Sequence, residues 1–215
     1  MRKVQFNKKE HYHIYNRGVD KRKFIMDEED LERFLESMAE FNTALPIGSI
    51  YENSFVKKSQ NVQLGSSASK LVNFVCYCIN PNHYHFILEQ LGENSISKFM
   101  HRLGTGYTNY FNKKYERSGT LFQGAFKAIH IDSNEYLLHL SAYINLNRRA
   151  HKLGSEASKS SWEEYIKNGL EESGKFCNKD IILKQFKDKE NYREFAESSL
   201  EDIIMRKDME KLRLE

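Results

Sequence analysis

The 215-residue sequence has no apolar run of about eighteen residues, the length at which a membrane-spanning helix is expected. It also shows no signal-peptide pattern. Its cysteines, Cys76, Cys78 and Cys177, are odd in number and form no secreted disulfide framework, and buried thiols are favoured over a zinc site. These absences predict a soluble cytoplasmic protein without a membrane partner.

The sequence does contain enough apolar material for a folded core. Hydrophobic residues make up 40% of the chain and aromatic residues 13%, which excludes global disorder. Residues 1–150 hold 20 Lys and Arg against 15 Asp and Glu, a net charge of +5, whereas residues 151–215 carry −2. The length suggests one domain with an appendage, and the mildly basic first part suits a polyanionic partner.

The hydrophobic pattern predicts elements in the order β-α-β-β-α-β-α. The first six elements have the order of a ferredoxin-like βαββαβ fold, an α+β class with an antiparallel sheet. Residues 45–70 show no sustained period and are predicted to form a long mobile loop. Residues 151–215 are predicted to form helices packed on the core, with 162–165 and 181–186 as docking points. The predicted strands cover residues 12–17, 71–79, 83–88 and 120–131, and the predicted helices cover 27–42, 95–115 and 133–149.

A turn followed by two histidines is the first candidate site. Residues 80–82 read Asn-Pro-Asn, a strong turn signal, and an apolar strand follows. Side chains alternate across a strand, so His83 and His85 are expected on one face, with Tyr84 and Phe86 on the other. Two neighbouring imidazoles can hold one divalent cation, although a His pair also occurs as simple polar surface on a half-buried strand.

The predicted helix at 133–149 supplies the second candidate site. Asp132 and Glu135 form a plausible capping pattern at its start. Tyr143 and Asn147 are four residues apart and therefore share one helix face. A phenol with an amide one turn later pairs a nucleophile with a metal ligand, whereas a tyrosine on an amphipathic helix otherwise belongs to the core or its rim.

Together these motifs resemble those of a known family of nucleases. His83-Tyr84-His85 resembles the His-hydrophobic-His motif of the HUH single-strand nucleases, and residues 143–147 resemble the nucleophile helix of the single-tyrosine transposases. The set is most similar to the REP-associated tyrosine transposases. Two positions depart from that pattern: Arg148 replaces a usual Pro, and Ala125 replaces an Arg, which removes one expected phosphate contact. Further matching segments are His13-Ile14-Tyr15-Asn16-Arg17-Gly18, Gly119-Thr120-Leu121-Phe122-Gln123-Gly124 and Phe126-Lys127.

This resemblance, which spans most of the chain, implies a ferredoxin-like fold and a reaction. Residues 1–150 would be the catalytic domain of a transposase that cleaves and rejoins single-stranded DNA at hairpin-bearing sites. Tyr143 would attack a phosphodiester to form a 5′-phosphotyrosine, and Mg²⁺ or Mn²⁺ on His83, His85 and Asn147 would polarise the phosphate. The protein is expected to act as a monomer or homodimer. The residues expected to bind nucleic acid are Arg17, Lys113, Lys114, Arg117, Gln123 and Lys127.

Other side chains are candidates for smaller roles. His11 and His13 form a second His-x-His pair, and for His13 a structural or DNA-contact role is favoured. His139, one helical turn before the predicted nucleophile, is a possible base, although a surface role is favoured. Glu89 shares the strand face of the histidine pair. The tyrosines of another helix, expected in the core or its rim, are Tyr107, Tyr110 and Tyr115.

Two other functions are compatible with the sequence. One is a domesticated module that binds DNA or RNA hairpins without cutting, and the intact set of two histidines, tyrosine and asparagine argues against it. The other is an HUH replication initiator or relaxase, which the small size and the lack of a helicase segment disfavour.

Overall fold

An antiparallel sheet forms the centre of the protein in the computed structural model, which describes residues 4–45, 47–50, 69–151, 157–167 and 176–212. Its strands are β1 (His11–Arg17), β2 (Val72–Ile79), β3 (His83–Gln90), β4 (Lys127–His130) and β5 (Lys159–Ser160). They lie in the order β4-β1-β3-β2-β5. The first four have the predicted ferredoxin-like arrangement, so the α+β fold class is confirmed.

Helices cover both faces of this sheet. Helices α1 to α7 comprise, in chain order, Glu28–Glu40, Ser95–Lys114, Asn134–Asn145, Asn147–Ala150, Trp162–Ile166, Asp180–Leu183 and Lys189–Leu212. The pair α1 and α2 packs on one face, and α3 packs on the other with α7 against it. No helix in the part of the chain that the structure describes is long and apolar enough to cross a membrane.

The face under α1 and α2 forms the larger core. Strand alternation places Tyr12, Ile14, Tyr84 and Phe86 on this face, where all four are buried. Helix α2 contributes an apolar stripe at helical spacing, and each residue predicted to face inward is buried. These residues are Ile96, Phe99, Met100, Leu103, Tyr107 and Phe111.

The opposite face of the sheet packs on α3. Strand β2 is buried on both faces, as expected of a central strand, and its Val75 and Cys76 join Leu140 and Ile144 of α3 in a second core. The free thiols of the chain are buried, as predicted, and contribute to packing. They are Cys76, Cys78 and Cys177.

The strand predicted at 120–131 is much shorter than expected. Only β4 forms, because Gly119 and Gly124 have φ of 86° and 67°, left-handed values that turn the chain out of a strand path. Residues 119–126 instead form a loop beside β1, where the Gln123 N–H donates to the Arg17 carbonyl at 2.8 Å.

The helix predicted at 133–149 is divided in two. Leu146, with φ −102° and ψ 12°, ends α3, and the short α4 follows. The helix begins with Ser133, whose hydroxyl accepts the Tyr136 N–H, rather than with the predicted Asp132 cap. Ser133 lies three residues before the N–H that it accepts, which is the usual reach of a capping side chain.

Parts of the chain after residue 150 contact the sheet and α3. The hydroxyl of Tyr165 donates to the Val75 carbonyl at 2.7 Å, and Ile182 is fully buried in the second core. Strand β5, which was not predicted, pairs with β2. The loop predicted at 45–70 lies largely outside the described residues.

A buried polar network connects the end of α3 to this later segment. The Asn145 amide donates to the Tyr192 hydroxyl at 2.9 Å, and its oxygen accepts from the Ser161 hydroxyl at 2.6 Å. The Ser141 and Tyr192 hydroxyls are 3.1 Å apart. Buried amides are costly without partners, so these bonds hold the C-terminal end of α3 in one position.

Tyr192→Phe tests this network. The substitution keeps the ring but leaves the buried Asn145 amide without its acceptor, so we expect the free energy of unfolding to fall by about 1–3 kcal/mol. Urea denaturation followed by circular dichroism measures the change. Tyr136→Phe, which removes a half-buried phenol on α3, the helix of Asn145, is the matched control with little expected loss. Equal stability of the Tyr192 variant and the wild type would contradict the role of the network.

Candidate active site

His83 and His85 lie on one face of β3, as strand alternation predicts. In the ladder between β1 and β3, His83 pairs with Arg17 and His85 pairs with Tyr15, so all four side chains project from the same face. The two imidazole centroids are 5.3 Å apart. The Asn80 N–H donates to the His83 carbonyl at 2.8 Å and closes the hairpin between β2 and β3. The turn therefore sets where the histidines leave the sheet.

Helix α3 carries Tyr143 over the same face. The centroid of the Tyr143 ring lies 5.9 Å from that of His85. The helix reaches this position because its apolar side packs on β2 and β3 in the second core. A cavity of about 690 Å³ opens between the helix and the sheet. It is lined by Tyr15, Asn16, Arg17, Lys21, Asn82, His83, His85, Gln123, Lys127, Tyr143 and His151.

Both ring nitrogens of His83 have asparagine partners. Nδ1 lies 2.7 Å from the amide oxygen of Asn82, which can only accept a hydrogen bond, so Nδ1 carries the proton. Nε2 then presents its lone pair, and the Asn80 amide nitrogen donates to it at 2.9 Å. The orientation and the tautomer of His83 follow from these two contacts.

Asn147 joins His83 to the tyrosine. Its amide oxygen lies 3.3 Å from His83 Nε2, and its nitrogen is buried with no hydrogen-bond partner among the described residues. Burial raises the pKa of Tyr143 above its ordinary value, and the Asn147 side chain opposes that rise to a smaller extent. Asn147 is fully buried and does not line the cavity, so its amide reaches the histidine and the phenol from behind the cavity wall.

The donor set fits a divalent cation that is held by few protein ligands. The His83 nitrogen and the Asn147 oxygen are both lone-pair atoms that converge, and their 3.3 Å separation is typical of two ligands on one ion. Across the described ranges, no group of three or more His, Cys, Asp and Glu side chains is arranged to hold a metal ion. An ion here would therefore depend on two imidazoles and an amide, with open positions for other oxygen ligands.

His13 contacts the second histidine of the pair. Its Nε2 lies 2.9 Å from Nδ1 of His85, and its ring stacks on Tyr15 with centroids 4.8 Å apart. Burial lowers the pKa of His13 to about 4, so the imidazole is neutral at neutral pH. His13 is 7% exposed and does not line the cavity, which favours the structural role over the DNA contact.

His151 was not predicted from the sequence, yet it lies in the site. Its Nε2 is 3.4 Å from the Tyr143 hydroxyl, and its ring centroid is 5.2 Å from that of His83. The available signal was its spacing, because His151 follows Asn147 by four residues and Tyr143 by eight, along one helical face.

His139, which the sequence suggested as a base, faces away from the cavity. Its Nδ1 lies 3.1 Å from the Ser199 hydroxyl, and its ring packs on Phe195 at 5.1 Å between centroids. Both partners belong to α7, so the interface between α3 and α7 holds the imidazole. The hypothesis that His139 is a base is wrong for this structure, and His151 takes its place beside the phenol.

Three of the residues predicted to bind nucleic acid lie at the cavity. The Arg17 guanidinium donates to the Gln123 side-chain oxygen, and the Lys127 ammonium lies 6.0 Å from the centroid of the Tyr15 ring. The unexpected loop at 119–126 makes this possible, because it brings Gln123 against β1. Two cations and one aromatic face therefore border the histidine pair.

The other three residues lie near the end of α2, on the opposite side of the sheet. The Lys114 ammonium contacts three carboxylates, those of Asp27, Glu29 and Asp30, at 2.9 to 3.0 Å, which gives it a structural role. Arg117 donates to the Thr120 carbonyl at 3.1 Å. A DNA contact by Lys113 or Arg117 stays a prediction.

The competing tyrosines and Glu89 are also separate from the cavity. The Tyr107 hydroxyl donates to the Phe24 carbonyl at 2.7 Å, and those of Tyr110 and Tyr115 donate to the Asp30 carboxylate at 3.1 and 2.8 Å. Glu89 accepts from the Asn73 amide at 2.8 Å, four residues beyond the pair. Of the candidate nucleophiles on α2 and α3, Tyr143 is the one that lines the cavity of the two histidines. The ring of Tyr15, on β1, also lies beside His85, at 5.7 Å between centroids.

The part of the chain that holds the histidine pair, the tyrosine and the asparagine matches a known family. Residues 49–147 match the family model described as "Transposase IS200 like". The match covers a little under half of the chain and shows that this part is similar to the IS200-like transposases. The transposase resemblance found in the motifs is thereby confirmed, and the matched segment ends at Asn147.

The fold of the protein is similar to that of a solved structure. That structure is described as "Structure of the REP associates tyrosine transposase bound to a REP hairpin" and has a TM-score of 0.51 with this chain. The two sequences are 12% identical, and the match covers 80% of this chain and 87% of the other. At this identity the likeness establishes the fold. No curated protein sequence matches the chain.

Acid should destabilise the protein through His13. An unfolded imidazole takes up a proton below pH about 6.5, whereas the buried one resists until pH about 4, so stability is lost as pH falls through this window. We expect a loss of about 2 kcal/mol from this group between pH 7.5 and 5. Urea denaturation across that range measures it.

The carboxylates of the protein also titrate in acid, so the comparison needs a variant. His13→Leu keeps a side chain of similar bulk and removes the titrating group. The variant should therefore lose about 2 kcal/mol less than the wild type over the same pH range. Parallel curves for the two proteins would show that His13 does not carry this dependence.

Proposed function

We propose that the chain cleaves and rejoins single-stranded DNA at hairpin-bearing sites through a 5′-phosphotyrosine on Tyr143. The observation that carries the proposal is the shared cavity of Tyr143, His83 and His85, with Arg17 and Lys127 on its wall. The similar structure described with a bound hairpin supports a hairpin as the substrate.

In the proposed reaction, the Tyr143 oxygen attacks the phosphorus of one phosphodiester. The bond from phosphorus to the 3′ oxygen breaks, and that oxygen takes up a proton from water. The products are a free 3′-OH and a phosphate ester on the tyrosine. Attack by a 3′-OH on that ester reverses the step and rejoins DNA. No nucleotide cofactor is required, because the ester retains the energy of the broken bond.

The phenol has to lose its proton for this attack. Burial raises the pKa of Tyr143, which makes the phenol a weaker acid than in water. His151 Nε2 lies 3.4 Å from its oxygen and is placed to accept the proton during cleavage and to return it during rejoining. Asn147 lowers the same pKa and so favours the charged form.

His83, His85 and Asn147 are the residues that we propose to hold Mg²⁺ or Mn²⁺. When bound, such an ion polarises the scissile phosphate and makes its phosphorus more reactive. The support is the convergence of His83 Nε2 and the Asn147 oxygen at 3.3 Å and the side-by-side histidine rings. Manganese suits nitrogen ligands better than magnesium does.

Arg17, Gln123 and Lys127 are proposed to bind the strand next to the scissile phosphate. Arg17 and Lys127 supply positive charge, and the Gln123 amide suits an unpaired base or a phosphate. The Tyr15 ring on the same cavity wall offers a face for stacking. Salt-dependent binding follows, because phosphate contacts release counterions.

Tyr143→Phe is the direct test of the nucleophile. The change removes one oxygen and keeps the ring, so packing and DNA binding should persist while covalent adduct formation is abolished. The assay incubates the protein with a labelled hairpin library and Mn²⁺, and mass spectrometry of digested adducts locates the linkage.

The location of the adduct separates the alternatives. A nucleotide on Tyr107, Tyr110 or Tyr115 would refute the assignment and keep the reaction class. No adduct from the wild type with any hairpin, in Mg²⁺ or Mn²⁺, would favour the module that binds without cutting. Asn147→Ala is the internal control, since it should slow adduct formation without moving it.

The His83→Ala/His85→Ala double variant tests metal dependence. Cleavage should be lost, whereas hairpin affinity in a gel-shift assay should change by less than about tenfold, because phosphate and stacking contacts dominate binding. Cleavage and hairpin affinity are measured on the same oligonucleotide. Undiminished nicking by the double variant in chelator would remove the metal from the mechanism.

A further inference from the structure

We propose that Asn80 and Asn82, the two asparagines of the turn before β3, position His83 for the divalent cation and act on cation binding with opposite sign. The inference rests on the proposed metal site at His83 and Asn147. The Asn-Pro-Asn sequence is explained locally as a turn signal, but a turn does not require that both amides contact the same imidazole. Each amide contacts a different ring nitrogen of His83.

Asn82 favours the cation. Its side-chain oxygen lies 2.7 Å from His83 Nδ1 and accepts the proton there, so the lone pair belongs to Nε2. A histidine that binds a metal through one nitrogen characteristically donates from the other to an oxygen, which fixes its tautomer and ring orientation. The Asn82 nitrogen donates to the Lys21 carbonyl at 3.3 Å, and this bond keeps the amide oxygen directed at His83.

Asn80 competes with the cation. Its amide nitrogen has two N–H groups, and it donates to the Asn147 oxygen at 2.7 Å and to His83 Nε2 at 2.9 Å. These are the two atoms that would ligate the ion. Asn80 is fully buried, and its own oxygen lies 3.6 Å from the Cys78 thiol, so the amide is held among its partners. It therefore satisfies both lone pairs in the metal-free protein.

The two amides have different consequences for the free energy of binding. An ion that takes both lone pairs has to break the two hydrogen bonds from Asn80, so the Asn80 amide stabilises the metal-free state. The bond to Asn82 exists with and without the ion and becomes stronger as the imidazole donates charge to it. Removing Asn80 should therefore tighten cation binding, and removing Asn82 should weaken it.

Mn²⁺ titrations of the full chain without DNA, monitored by electron paramagnetic resonance, test both predicted changes in Mn²⁺ affinity. Asn80→Leu, which has similar bulk and no donor, should lower the Mn²⁺ dissociation constant about tenfold. Asn82→Leu should raise it by about tenfold or more, and Asn82→Asp, which keeps an acceptor oxygen, should restore wild-type affinity or better. His83→Ala defines the binding that belongs to this site.

A spectroscopic readout separates positioning from general loss of structure. Long-range nitrogen NMR of histidine-labelled protein should show the His83 proton on Nδ1 in the wild type and in Asn82→Asp. In Asn82→Leu the Nδ1 proton loses its acceptor, so the proton should move to Nε2, where it can donate to the Asn147 oxygen and blocks the ion. A thermal melt in chelator checks folding. Asn80→Ala, which also lacks the donor and adds no charge, replaces Asn80→Leu if the leucine variant is unfolded, with tighter Mn²⁺ binding again expected.

Specific results would overturn the proposal. If folded Asn80 variants bind Mn²⁺ no more tightly than the wild type, Asn80 does not compete with the cation. If the His83 tautomer is unchanged in Asn82→Leu, Asn82 does not position His83. These two outcomes can be interpreted only if the wild type binds Mn²⁺ and His83→Ala weakens that binding. If His83→Ala leaves Mn²⁺ binding unchanged, the metal site of the proposed function fails first, and this inference fails with it.

Discussion

The pairing of β1 with β3 in a single antiparallel register is the constraint on which the site depends. It sets Tyr15 opposite His85 and Arg17 opposite His83, on the face that α3 covers. Side chains alternate with period two, so a slip of one residue would turn all of them to the other face. The apolar residues between them prevent the slip, because Ile14 and Phe86 are fully buried under α1 and α2. A core on one side of the sheet thus fixes polar groups on the other.

The second constraint is the set of buried amides around α3. Asn147 and Asn80 are fully buried, and Asn145 is nearly so, and each places a hydrogen-bonding group where water cannot replace it. Their bonds run from the turn before β3, through the end of α3, to Ser161 and Tyr192. The groups that are bonded here disfavour other arrangements, which would leave them unpaired, whereas the Asn147 nitrogen has no partner among the described residues. The cavity is therefore built on a rigid polar frame, whereas its charged wall is exposed.

Local patterns in the sequence predicted much of this arrangement, and contacts between distant segments account for what they did not predict. Alternation placed the histidine pair on one face, and helical spacing identified the buried stripe of α2. The short β4 was not predicted because its limits depend on left-handed glycines. The ion pairs of Lys114 join residues more than eighty positions apart. Such features depend on tertiary geometry, which periodicity does not describe.

The bonds of Asn145 have a consequence for how the protein is made. Strands β1 to β4 lie within the first 130 residues, so a growing chain can complete the sheet face with its histidines early. The partners that fasten the end of α3, Ser161 and Tyr192, leave the ribosome later. During synthesis, the strands that carry the histidine pair are therefore made before the side chains that fasten the end of α3.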